Sequence, residues 1–96
     1  MASPTGQTAA EAEGIQVTVR YFAAACEAAG TEWETLVVRP DTTVAELVDR
    51  LAIRGSRLAT VLSRCSYLRD GIAVRDETTM LRSGDTIDVL PPFAGG

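Results

Sequence analysis

One stretch limits the fold more than any other, because it encodes the one long helix of the chain. Thr43 and Glu46 have the spacing of a capping box, in which each side chain binds the other residue's backbone amide at the start of a helix. The apolar residues around and after Glu46 then recur at helical spacing: Val44, Leu47, Val48 and Leu51. A single apolar stripe predicts a helix that packs on a sheet, and Gly55 is predicted to end it.

The segments on either side of this helix have the period-two alternation of half-buried strands. Residues 15–21 place Ile15, Val17, Val19 and Tyr21 on one face and Gln16, Thr18 and Arg20 on the other. Residues 33–39 and 85–90 predict further strands, with Leu36, Val38, Ile87 and Val89 facing the core. The Asp70-Gly71 step tolerates positive φ and predicts a hairpin between short strands at residues 65–68 and 72–74.

Two shorter helices complete the pattern. Residues 23–29 are rich in alanine and stop at Gly30, which is a typical helix C-cap, and residues 56–63 predict a further helical turn. The chain therefore predicts an α+β fold in which a sheet packs against one main α-helix, with short extra helices.

The N-terminal segment differs from the rest of the chain. Residues 1–14 contain no large apolar side chain after the initiator methionine, so they cannot add to a core and are predicted to be a disordered tail. Residues 15–96 are predicted to form one domain that ends in an extended tail.

Composition excludes several classes of function. The net charge of −4 argues against nucleic acid as the partner, because phosphate binding needs a basic surface. All nine basic residues are arginine and histidine is absent, so the usual general base is missing and the chain is not expected to be an enzyme by itself. Cys26 and Cys65 are too few and too far apart for a metal site. Without a signal-like or membrane-spanning segment, we expect a cytoplasmic protein with no membrane partner.

The face of the sheet turned away from the main helix is predicted to carry apolar side chains. The alternation assigns Phe22, Val37 and Leu90 to this outer face, joined by Ile72 or Val74 from the hairpin. We interpret Phe22, Val37, Val74 and Leu90 as a surface for docking a partner protein. The alternative is that these side chains are scattered singly, which is common in monomers.

The last residues form a distinctive end. After Leu90 come two prolines, which cannot donate to a sheet ladder, so the chain should leave the fold as an extended arm. It ends in Gly95 and Gly96, which lack side chains and add no packing. Such an arm suits insertion into a narrow active site, and the alternative is an ordinary frayed terminus.

Taken together, these segments resemble a known family. Residues 19–25 (Val-Arg-Tyr-Phe-Ala-Ala-Ala), the capping-box helix, the Ser83-Gly84-Asp85 turn and the Pro-Pro-Phe-Ala-Gly-Gly end occur in the same order as in the small, sulphur-carrying subunit of molybdopterin synthase (MoaD type), within the MoaD/ThiS family. The resemblance implies a ubiquitin-like β-grasp fold. Cys26 stands where family members often have a basic residue, so a polar contact to a partner would be lost or supplied elsewhere.

The resemblance also implies a chemistry for the arm. An E1-like enzyme would use ATP to adenylate the carboxylate of Gly96, and sulphur from a sulphur donor protein would replace the adenylate to give a thiocarboxylate. The large subunit of molybdopterin synthase would then accept the arm, and sulphur would pass to cyclic pyranopterin monophosphate. Gly95 and Ala94 would keep the arm narrow, whereas Phe93 and Pro92 would fix its reach. No cofactor would be bound permanently. The alternatives are a carrier for thiamine thiazole or cysteine synthesis, and a ubiquitin-like interaction module with an inert tail.

Overall fold

The computed structural model describes residues 14–92. Five strands and three helices follow one another: β1 (Ile15–Tyr21), α1 (Ala24–Ala29), β2 (Trp33–Val38), α2 (Val44–Ala52), α3 (Ser56–Leu62), β3 (Ser66–Arg69), β4 (Ile72–Ala73) and β5 (Thr86–Leu90). The tail predicted at residues 1–14 lies outside the described residues except for Gly14, and residues 93–96 also lie outside them.

The strands form one mixed sheet in the order β2-β1-β5-β3-β4. The central pair, β1 and β5, is parallel, whereas the other neighbours are antiparallel. A parallel pair of strands needs a long crossover, and here the crossover contains all three helices. The predicted α+β architecture, with a sheet packed against one main helix and with short extra helices, is confirmed.

The predicted alternation along β1 is also confirmed. Val17, Val19 and Tyr21 are buried beneath the helices, and Arg20 is exposed on the opposite, outer face. The core on the inner face includes Val44, Leu47 and Leu51 from α2 and Ile87 and Val89 from β5, all of which are essentially inaccessible. These β-branched and leucine side chains therefore join the main helix to the central strands.

Helix α2 begins at the predicted capping box. The Thr43 amide donates to Glu46 Oε1 at 2.9 Å, and the Glu46 amide donates to Thr43 Oγ1 at 3.2 Å. The predicted end of the helix is wrong, because α2 stops at Ala52 and its C-cap is Ile53 in the right-handed helical region. The chain continues through short-range bonds from Arg54 to Leu51 and from Gly55 to Ala52, and Gly55 is the extended residue before α3.

The predicted helix cap at Gly30 and the predicted turn at Asp70-Gly71 are confirmed. Gly30 caps α1 at φ 80, and its amide donates to the Cys26 carbonyl. Asp70 and Gly71 both have positive φ, as a two-residue hairpin turn requires, and they join β3 to β4. Strand β4 is shorter than predicted, because regular pairing stops at Ala73.

Candidate docking surface and tail

The C-terminal arm begins on a central strand of the sheet. Strand β5 is held between β1 and β3, and its end is paired on both sides, since Val89 pairs with Tyr21 and Leu90 pairs with Ser66. Pro91 and Pro92 then form part of the lining of a small groove, together with Ala24 of α1, Thr60 and Val61 of α3, and Arg64 just after α3. The strand from which the arm starts is therefore held by the sheet. The predicted roles of Phe93, Ala94, Gly95 and Gly96 fall outside the described residues.

Two of the predicted docking residues lie close together where the arm begins. The Phe22 amide donates to the Val89 carbonyl at 3.2 Å, which continues the parallel register of Tyr21 with Val89. Phe22 therefore lies beside Leu90 on the outer face. Phe22 is 38% exposed and Leu90 is half-buried, so both remain accessible to a partner.

Val37 lies on the same face but far from this pair. It is opposite Gln16, six residues from Phe22 along β1, which corresponds to about 20 Å in an extended strand. Polar residues of the outer face lie in between, including the cross-strand neighbours Thr18, Thr35 and Thr86. Although Val37 is well exposed, a contact with Phe22 is not possible at this distance.

The predicted position of Val74 on the outer face is wrong. Its amide donates to the Tyr67 carbonyl, and its half-buried side chain packs against the core. The reason is the hairpin register, in which Leu68 pairs with Ala73 and Arg69 pairs with Ile72. This register places Ile72 and Val74 on the same face as Ile87 and Val89, so neither joins the outer-face residues.

A cross-strand row supplies the side chains that sequence reasoning did not include. Trp33 pairs with Arg20, Arg20 with Asp88, and Asp88 with Leu68, so the row crosses four strands. Trp33 is 59% exposed and shares the alternation of Val37, which was the available sequence signal. We define the outer-face surface by its apolar members: Phe22, Trp33, Leu68 and Leu90.

An ion pair lies at the centre of the outer-face surface. Arg20 Nε is 2.6 Å from Asp88 Oδ1, and Arg20 Nη2 is 2.8 Å from Asp88 Oδ2. The Asp88 side chain is only 8% exposed, whereas that of Arg20 is 52% exposed. The guanidinium carbon also lies 5.5 Å from the centroid of the Phe22 ring. Hydrogen bonding to Asp88 and the charge of its carboxylate raise the pKa of Arg20, so the guanidinium stays protonated. This bidentate geometry fixes Arg20 beside Phe22 and Trp33.

A second polar cluster lies on the inner side of the sheet edge. The Tyr21 hydroxyl donates to Glu34 Oε2, and Arg54 Nη1 donates to the same oxygen at 2.6 Å. Burial and the neighbouring Glu34 both raise the pKa of Tyr21, so the phenol remains a hydrogen-bond donor at neutral pH. The cluster joins β1 and β2 to the segment after α2, and it therefore has a structural explanation.

The two cysteines have different surroundings. Cys65 Sγ lies 3.2 Å from the Val61 carbonyl, and burial raises the pKa of this thiol, which makes it a poor nucleophile. Cys26 is half-buried in α1 and lines a groove that also contains Phe22 and Trp33. Among residues 14–92, no cluster of three or more His, Cys, Asp or Glu side chains has a geometry suited to a metal ion. In the same segment, no helix has the length and apolar character needed to cross a membrane.

Comparison with known families identifies the origin of this fold. A model described as the ThiS family matches residues 19–96, which is most of the chain and includes the C-terminal arm. The chain belongs to the ThiS family.

Two curated relatives of this ThiS-family chain are named molybdopterin synthase sulfur carrier subunit. The human protein is 31% identical over 83 residues, covering 84% of this chain and 94% of the relative. The protein from Chlamydomonas reinhardtii is 26% identical over 83 residues, covering 85% of this chain and all of the relative.

Solved structures show the same ubiquitin-like β-grasp fold. A putative molybdopterin converting factor, subunit 1, from Pyrococcus furiosus superposes with a TM-score of 0.74 at 22% identity, over 82% of this chain and 99% of that one. Small archaeal modifier protein 1 from Haloferax volcanii superposes with a TM-score of 0.72 at 25% identity, over 83% and 100% of the two chains. A complex of subunits 1 and 2 of the molybdopterin-converting factor from Helicobacter pylori gives a TM-score of 0.61 at 26% identity, over 85% and 100%. The fold implied by the sequence resemblance is therefore confirmed.

Proposed function

We propose that the chain is a sulphur carrier for molybdopterin biosynthesis that acts as a small subunit without catalytic machinery of its own. The observation that carries this proposal is that Leu90 belongs both to the outer-face surface and to the strand from which the arm emerges. A partner that binds the outer-face surface would thereby determine where the arm enters its active site. The names of the two curated relatives support this assignment.

The proposed reaction takes place at the carboxylate of Gly96. An oxygen of this carboxylate attacks the α-phosphorus of ATP on an E1-like enzyme, and pyrophosphate leaves. A hydrosulphide equivalent from a sulphur donor protein then displaces AMP, which leaves a thiocarboxylate. A carboxylate is a poor acylating group, whereas the mixed anhydride has a good leaving group, so ATP is needed for the exchange of oxygen for sulphur. Gly95, Ala94, Phe93 and Pro92 are proposed to pass through the partner's entry channel.

The second proposed step takes place on the large subunit of molybdopterin synthase. The thiocarboxylate sulphur attacks a carbon of cyclic pyranopterin monophosphate and displaces an oxygen leaving group, which gives a thioester; water then hydrolyses this thioester, so the sulphur stays on the pterin and the carrier returns as the carboxylate. The Helicobacter pylori complex of subunits 1 and 2 supports a heteromeric partnership of this kind. The outer-face surface is apolar around one neutralised ion pair, a composition typical of the central part of a protein interface.

The test is the intact mass of the carrier after incubation with an E1-like enzyme, ATP and a sulphur donor. We expect one oxygen to be replaced by sulphur at Gly96, and an unchanged mass would indicate a ubiquitin-like module with an inert tail. A chain extended by one alanine after Gly96 is the matched control, because the described fold does not include the terminus. Its circular dichroism and melting temperature should match those of the wild type, and its mass should not change. Sulphur uptake by the extended chain would contradict the proposal.

The ThiS-family match keeps a second pathway open, because the same carrier chemistry could serve thiamine thiazole or cysteine synthesis. A pull-down with the carrier as bait separates these possibilities. Recovery of the large subunit of molybdopterin synthase supports our assignment, whereas recovery of a thiazole synthase or a cysteine synthase would replace it.

A further inference from the structure

A groove lies beside the outer-face surface, between the end of β1, the start of β2 and helix α1. It has a volume of about 440 Å³, which is sufficient for a long side chain. Its lining includes Arg20, Phe22, Cys26, Glu32 and Trp33. Phe22 and Trp33 belong both to the groove and to the outer-face surface, so a partner docked on that surface would cover the groove as well.

Glu32 and Trp33 provide the carboxylate and the aromatic ring of this groove, and hydrogen bonds hold their backbone in place. The Tyr21 amide donates to the Glu32 carbonyl at 2.8 Å, and Thr31 Oγ1 donates to the Trp33 carbonyl at 3.0 Å. Trp33 is also paired with Arg20 across the sheet. A binding partner would therefore not have to order this backbone, which lowers the entropic cost of the contact.

The charges around the groove leave one carboxylate available. Arg20 is already bonded through two nitrogens to Asp88, so its positive charge is neutralised. Glu32 is exposed, and within residues 14–92 its side chain has no salt bridge or hydrogen bond. The net charge of the groove is consequently negative, which favours a cation.

We propose that this groove binds an arginine side chain of the protein that docks on the outer-face surface, with its guanidinium stacked on Trp33 and hydrogen-bonded to Glu32. An exposed indole beside an available carboxylate matches arginine in particular. A guanidinium stacks flat on an aromatic ring and also donates paired hydrogen bonds to a carboxylate, whereas an ammonium is a compact, strongly hydrated point charge. This inference rests on the proposed function, because it assumes a docked partner, and it adds a contact that determines specificity.

The experiment measures the affinity of the carrier for the purified large subunit of molybdopterin synthase by isothermal titration calorimetry. Trp33→Leu keeps an apolar side chain but removes the aromatic face, and we expect it to weaken binding about tenfold. Glu32→Gln keeps the shape but removes the charge, and we expect a loss of about five- to tenfold that shrinks as salt concentration rises. Val37→Ala is the matched control, since Val37 is an exposed apolar residue on the same strand and face as Trp33 but far from the groove.

A double-mutant cycle then tests whether the bound group is an arginine. The arginines on the interface of the large subunit are substituted by glutamine one at a time. For the arginine that enters the groove, the loss of binding free energy should be non-additive with that of Glu32→Gln, because both changes remove the same contact. If Trp33→Leu and Glu32→Gln bound the large subunit with the same affinity as Val37→Ala, the proposal that the groove binds an arginine side chain would be refuted. If Phe22→Ala abolished binding under those conditions, the proposed function would stand without the groove. If the wild-type carrier did not bind the large subunit, the proposed function would fail and the groove contact would fail with it.

Discussion

Ala23 has a backbone conformation that an alanine rarely adopts. It lies between β1 and α1 with φ 51 and ψ −125, and the Ala25 amide donates to the Phe22 carbonyl at 3.0 Å. These features define a tight turn of type II′ in which Ala23 occupies the first central position, where glycine is strongly preferred. We therefore predict that Ala23→Gly stabilises the protein, although glycine normally destabilises an ordered chain.

The magnitude follows from two opposing terms. A residue held in a sparsely populated backbone region costs about 1 to 3 kcal/mol, and glycine removes most of this strain. Glycine also makes the unfolded chain more flexible, which costs roughly 0.5 to 1 kcal/mol. The difference favours the variant by about 1 kcal/mol. For a domain of this size, that corresponds to a rise in melting temperature of about 4 to 8 °C.

The assay is urea denaturation followed by far-ultraviolet circular dichroism. Wild type and variant are fitted with the same m value, which is the dependence of the unfolding free energy on urea concentration. Ala28→Gly provides the matched control, because Ala28 lies in the regular part of α1, only five residues away. There the same change should destabilise the protein by about 1 kcal/mol, since a helical alanine is already unstrained. Equal destabilisation by the two variants would refute the assignment of strain to Ala23.

Three further predictions concern the acid range, the helix cap and the core. Burial opposes ionisation of Glu34, but hydrogen bonds from Arg54 and Tyr21 outweigh it and hold the pKa below its usual value of 4.5. Its contribution to stability is therefore complete above about pH 4.5 and is lost as the pH falls through the lowered pKa. Between neutral pH and pH 3, the urea denaturation midpoint should therefore decrease less in Glu34→Gln than in Glu32→Gln. Equal decreases in the two variants would contradict this prediction. Thr43→Ala removes a hydrogen bond from the capping box and should lower the free energy of unfolding by about 1 kcal/mol in chemical denaturation; an unchanged midpoint would argue against the cap. Leu47→Ala empties a fully buried position and should cost about 2 to 5 kcal/mol by the same assay, and a cost below 1 kcal/mol would show that the core collapses around the gap.

Local patterns were sufficient to predict most of the fold. The capping box, the alternation along β1 and the Asp70-Gly71 turn each depend only on residues that are close together in the sequence, and all three are confirmed. The end of α2 was predicted incorrectly, because Gly55 resembles a helix cap although the helix already ends with Ile53 as its C-cap.

The candidate site was harder to predict, because it depends on register between distant strands. The Arg20–Asp88 pair joins residues 68 positions apart, and no local pattern indicates that β1 and β5 run parallel with these two side by side. Val74 was assigned to the wrong face because its face depends on strand pairing and not on its own neighbours in the sequence. The turn determines which residues of β3 and β4 are opposite each other, and the pairing of β3 with β5 determines which of them face the core. Trp33 is different, since it alternates in phase with Val37 along β2, and this local signal was sufficient to place it on the outer face although the prediction did not include it.

The parallel pairing of β1 with β5 also explains why docking and sulphur delivery could be coupled in one small domain. Because β1 and β5 run in the same direction, their C-terminal ends lie side by side, so Phe22 just after β1 is next to Leu90 at the end of β5. If the two strands were antiparallel, the arm would start beside the N-terminal end of β1, about 20 Å from Phe22. In this topology, a partner that covers Phe22 and Leu90 simultaneously holds the residue next to Pro91. Substitutions at Phe22 or Leu90 should therefore reduce both partner affinity and the rate of sulphur transfer, whereas Val37→Ala should change neither.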